Sequence, residues 1–72
     1  MKHADLIRTL RQLAKDRDLD FKAGGGSKHE KWLAGEAMAI VPRHKEIGEH
    51  LARRIIKDFE EDLEDLNGEK ED

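Results

Sequence analysis

This chain has no cysteine, a single proline and only three aromatic side chains, one Trp and two Phe, among its 72 residues. Without cysteine there is neither a disulfide nor a thiolate metal framework, so a small aliphatic core or a partner must hold the fold. A folded chain of this length buries only about 60% of the surface its unfolded form exposes, which predicts one domain of modest stability. No run approaches the roughly 20 apolar residues of a membrane span, and the N-terminus has no apolar stretch of signal-peptide length. The expectation is a soluble, cytoplasmic protein without membrane contact.

Charge is abundant instead, at 43% of residues, and the formal net charge of −3 hides a division along the chain. Residues 1–59 carry 13 Lys and Arg against 9 Asp and Glu, whereas residues 60–72 carry 1 against 8. The body is therefore mildly basic and the end strongly acidic. Because the potential that matters is local to a binding face, the overall acidity does not exclude a polyanionic partner.

Apolar residues at Leu6, Leu10, Leu13 and Ala14, flanked by Ile7, recur at steps of three and four, with Arg8, Arg11, Gln12 and Lys15 between them. That spacing predicts an amphipathic helix over about Ala4 to Asp16. After the charged turn Asp16-Arg17-Asp18, Leu19 and Phe21 alternate with Asp20 and Lys22, the pattern of a short, half-buried edge strand. Gly24 to Ser27 frees the backbone for a turn. Two strands follow, His29 to Leu33 and Ala37 to Val41, joined as a hairpin through Ala34-Gly35-Glu36. Trp32 is expected in the core and His29 near the exposed end of its strand.

Pro42 ends the ladder by removing a donor. Beyond it Ile47, Leu51, Ile55, Phe59, Leu63 and Leu66 form a long apolar row with Ile56 beside it, predicting a second helix that starts between Glu46 and Glu49 and stops near Gly68. The order is α-β-β-β-α, an α+β fold in which a three-stranded antiparallel sheet carries two helices on one face. This is the layout of a double-stranded-RNA-binding fold. A fold assigns no function, so the chemistry must come from the residues.

His29 sits among Ser27, Lys28, Lys31 and Arg43, the equipment needed to handle a phosphodiester. RNA carries its own nucleophile, the 2′-hydroxyl. Cleavage then needs a group to take that proton, a group to protonate the leaving oxygen and positive charge for the phosphorane. An imidazole suits either proton transfer, and cations aimed at the developing charge supply a further share. The competing reading of a histidine by itself is an ordinary half-exposed strand residue.

The segment Gly26-Ser27-Lys28-His29-Glu30-Lys31-Trp32 resembles the motif of the HicA family, in which a glycine-containing turn leads into a catalytic histidine and a strand. Val41-Pro42-Arg43-His44 is similar to that family's second hallmark, and Glu46-Ile47 through Arg54-Ile55-Ile56-Lys57 to the helix that follows. The resemblance covers about Leu6 to Phe59, which divides the chain into a HicA-like ribonuclease domain at 1–59 and an acidic helix extension and tail at 60–72. It implies a toxin that cleaves messenger RNA without metal or cofactor, His29 as its catalytic residue, Ser27, Lys28, Lys31, Arg43 and His44 against RNA, and a HicB-like antitoxin covering the active face. A monomer is favoured for the free toxin. The run Gly24-Gly25-Gly26 and the acidic extension depart from the family pattern.

Other features carry less. His44 stands between a second acid or base and a residue that orders the strand-to-helix junction. His3 and His50 read as surface residues, and the four histidines show no metal-ligand spacing. Arg53, Arg54 and Lys57 form either an RNA-facing stripe or a solvated helix face. The acidic segment is expected to solubilise the helix end, or to fold toward the basic site and weaken RNA binding. A non-catalytic RNA-binding module is the alternative function, and a purely structural partner-binding domain a third.

Overall fold

The computed structural model describes residues 1–25 and 29–68, and of residues 66–68 the backbone alone. Five elements follow one another: α1 (His3–Asp16), β1 (Lys22–Ala23), β2 (Glu30–Ala34), β3 (Ala37–Val41) and α2 (Glu49–Gly68). The strands form one antiparallel sheet in the order β1-β2-β3. The two helices cover one face of it, giving the expected α-β-β-β-α architecture.

α1 buries Leu6, Ile7, Leu10 and Ala14, the apolar side of its sequence. Its end is a Schellman closure: the Leu19 amide donates to the Ala14 carbonyl at 3.0 Å and the Asp18 amide to the Lys15 carbonyl at 2.9 Å. Asp18 takes the left-handed φ of 60° that this closure needs. The expected strand from Leu19 is corrected here, because the Leu19 amide is committed to the helix end, and β1 forms only at Lys22 and Ala23. Leu19 and Phe21 are nevertheless half-buried against the core, so the alternation in the sequence reported burial without a ladder.

β2 starts at Glu30 and leaves His29 just ahead of the strand. The hairpin to β3 closes on the pair Ala34↔Ala37. Gly35 has φ 61° while Glu36 stays outside the positive region, the pattern of a type II′ turn with glycine at its first central position.

Opposed residues of an antiparallel pair share a face. The register Glu30↔Val41, Trp32↔Ala39 and Ala34↔Ala37 therefore sets Glu30 and Trp32 toward the helices, beside buried Ala37, Ala39 and Val41. Lys31↔Ile40 and Leu33↔Met38 fall on the open face, where Met38 and Ile40 are exposed. Trp32 is half-buried rather than enclosed, packed against the edge of the core. The sheet contributes small residues to its inner face, and the helices supply the volume, with Phe59, Leu6, Leu10 and Leu63 fully buried.

α2 turns Ala52, Ile55, Phe59 and Leu63 inward, at steps of three and four. Leu51, expected in that row, is 46% exposed, because successive steps of four drift around a helix of 3.6 residues per turn and Ala52 occupies the inward position. Ile47 is buried ahead of the helix. The side chain of Leu66 lies outside the described residues. Residues 60–68 continue α2, and Leu63 sits in the same core as Phe59. No described helix is long and apolar enough to cross a membrane.

Candidate functional site

The pairing Glu30↔Val41 brings the start of β2 and the end of β3 to one end of the sheet. His29 precedes Glu30, and Pro42-Arg43-His44 follows Val41, so the two motifs read separately in the sequence flank the same edge. A third segment joins them. The first residues of the chain run antiparallel to the β3–α2 connection, with a bridge between Lys2 and Glu46. The His3 amide donates to the Lys45 carbonyl at 2.9 Å, and the Ile47 amide to the Met1 carbonyl at 2.7 Å. The Met1 nitrogen lies 3.0 Å from Glu46 Oε2. This clip holds the first turn of α1 against the loop that carries Arg43 and His44.

Between the three segments lies an open cleft of about 230 Å³ lined by His3, Glu30, Arg43, His44 and Lys45. A second depression, of about 240 Å³, shares Glu30 and Arg43 with it and continues past Gly25, Lys31 and Trp32. The two meet at Glu30 and Arg43 in one groove, whose lining among the described residues includes the cations Lys31, Arg43 and Lys45 and the carboxylate Glu30. That carboxylate has its own partners: Glu30 Oε1 accepts from Trp32 Nε1 at 3.1 Å and lies 2.9 Å from His3 Nε2. His3 and Glu30 each keep 27% side-chain exposure, enough to meet a ligand in the groove.

Lys31, Arg43 and His44 thus come together along this groove. His29 is exposed just ahead of β2, next in sequence to Glu30, and lines neither depression. Ser27 and Lys28, with Gly26, lie outside the described residues. His50 is exposed, as expected, whereas the surface reading of His3 is corrected: the ring is half-buried and bonded to Glu30. His3 carries no signal of this in the sequence, since the contact depends on the chain returning to α1 after a long excursion. Glu30 stands inside the quoted motif and could have been marked from its place beside His29.

On α2, Arg53 pairs with Glu49 at 2.7 Å and Arg54 with Asp58 at 4.0 Å, each four residues along the helix. These are exposed pairs of a solvated face, of small energetic weight. Residues 60–68 remain in the helix, about 12 Å or more along its axis from its first turn, so this part does not fold back over the basic end. Arg17 and Glu64 approach to 3.9 Å there instead. Among the described residues, no three His, Asp or Glu side chains gather in a group able to hold a metal ion.

No protein-family model, no curated protein and no solved structure matches the chain.

Proposed function

We propose that this chain is an endoribonuclease that cleaves messenger RNA by metal-independent histidine acid–base catalysis, a toxin neutralised by a HicB-like antitoxin. The observation that supports this reading best is the convergence, at one end of the sheet, of the His29 segment with Arg43 and His44, across a groove that also holds Lys31. In this reading RNA lies along the groove, cations meet its phosphates and His29 exchanges a proton with the reacting oxygens. Positioned acid or base assistance is worth roughly 10² to 10⁴ in rate, about 3 to 5 kcal/mol of barrier. Cations held where charge develops on the phosphorane lower the barrier further.

Labelled messenger RNA incubated with the parent and with His29→Ala in EDTA tests the proposal, with circular dichroism to establish that both are folded. Cleavage by the parent and its loss in the variant is the expected result. RNA bound but cut by neither protein would replace the enzyme with an RNA-binding module. A partner of the expected kind should co-purify when the neighbouring gene is co-expressed, and an acidic face on it should make association fast and salt-sensitive. Absence of a complex would remove the toxin–antitoxin part of the reading.

A further inference from the structure

The groove holds a histidine–carboxylate pair that the resemblance does not assign. His3 comes from the first turn of α1 and Glu30 from the start of β2, and they meet at 2.9 Å between Nε2 and Oε1. Glu30 is itself held: the same oxygen accepts from Trp32 Nε1 at 3.1 Å, and the indole is stacked on Phe21 with ring centroids 4.9 Å apart. From the other side, the His3 amide is tied to the Lys45 carbonyl. Both members of the pair are therefore positioned by the fold, while the imidazole lines the cleft with Arg43, His44 and Lys45.

An ionised carboxylate only accepts hydrogen bonds, so Nε2 of His3 carries the proton that points at Glu30. In the neutral ring, Nδ1 is then left with the lone pair. A carboxylate bonded to one imidazole nitrogen orients the ring and stabilises the imidazolium formed when the other nitrogen takes a proton. That is the arrangement of a general base. His29 has no such support: no carboxylate among the described residues is bonded to its exposed ring.

We propose that His3, oriented by Glu30, is the general base of this site, and that His29 is the general acid. The inference rests on the ribonuclease reading and divides its two proton transfers between two histidines. His3 Nδ1 takes the proton of the 2′-hydroxyl, and the 2′-oxygen forms a bond to phosphorus. The bond from phosphorus to the 5′-oxygen breaks, and His29 gives that oxygen its proton. The products are a 2′,3′-cyclic phosphate and a 5′-hydroxyl end. Each histidine then returns to its starting state by proton exchange with water. Glu30 is a positioning residue, and Arg43, His44 and Lys45 face the phosphate.

A substrate with sulfur in place of the bridging 5′-oxygen separates acid from base, because a thiolate departs without a proton. The full chain, His29→Ala, His3→Ala, His3→Gln and Glu30→Gln are compared on the oxygen and sulfur versions of one messenger-RNA fragment. Folding is checked by circular dichroism, and binding by an analogue lacking the attacking 2′-hydroxyl. His29→Ala should be slow on oxygen and return to within about tenfold of the parent on sulfur. The His3 variants should be slower by about 10² to 10⁴ on both, with binding little changed. Glu30→Gln, which keeps an acceptor for Trp32, should lower kcat without raising KM and gain nothing from sulfur. Parent-like cleavage by the folded His3 variants, or rescue of those variants by sulfur, would overturn the assignment while leaving the ribonuclease intact. A parent that cuts neither substrate would overturn the ribonuclease reading and this assignment together.

Discussion

Phe21 lies flat against Trp32, ring planes 5° apart and centroids 4.9 Å apart, although Phe21 belongs to no strand. Phe21 also meets Phe59 edge-on at 6.1 Å, so all three aromatic residues of the chain form one cluster. Arg11 adds its guanidinium 5.6 Å from the Phe21 ring. The cluster ties the loop after α1 to the sheet and to α2, and it supports the indole that holds Glu30.

Phe21→Ala should therefore cost about 2 to 3 kcal/mol, less than a fully buried Phe because the ring is only half covered. In a domain of this size that is a large share of the total stability. Urea unfolding followed by the emission of Trp32, the only tryptophan, measures it. An unchanged midpoint would show that the stacking does not contribute.

Leu51 and Leu63 share an apolar row in the sequence and separate in the fold, one 46% exposed and the other fully buried. Leu63→Ala should lose about 2 to 4 kcal/mol and Leu51→Ala less than about 0.5 kcal/mol. Equal losses would mean that α2 is rotated from the orientation described here. The same pair of denaturation curves decides the point.

Gly35 holds φ 61° between Ala34 and Ala37. A β-branched side chain is strained there, so Gly35→Val should destabilise the protein by about 1 to 2 kcal/mol. Amide exchange should accelerate first in β2 and β3. Protection equal to that of the parent would contradict the turn geometry.

RNA affinity of the parent should fall linearly on logarithmic axes as salt rises, since the cations of the groove displace counterions from phosphate. Lys31→Ala, which changes one exposed cation of that groove, should weaken binding across sequences and reduce the slope by about 1. Titrations at several salt concentrations with the slowly cleaved His29→Ala background provide the comparison. A slope identical to that of the background would place Lys31 away from the phosphates.

The local physics of the chain determined its element order. Apolar steps of three and four made α1 and α2, the Gly35 turn between two short runs made the hairpin, and Pro42 ended β3, because each depends on neighbours in sequence. His29, Lys31, Arg43 and His44 were marked by residue type and by their resemblance to a known pattern. Tertiary structure alone decided the rest. It turned Ala52 inward in place of Leu51, whereas the closure that takes the Leu19 amide and shortens β1 joins residues only five apart and is local. It also carried His3 to Glu30, through hydrogen bonds between the first residues and the loop before α2. Such contacts join groups far apart along the chain, and their energy depends on where the whole fold sets each backbone, which no local pattern of residues records.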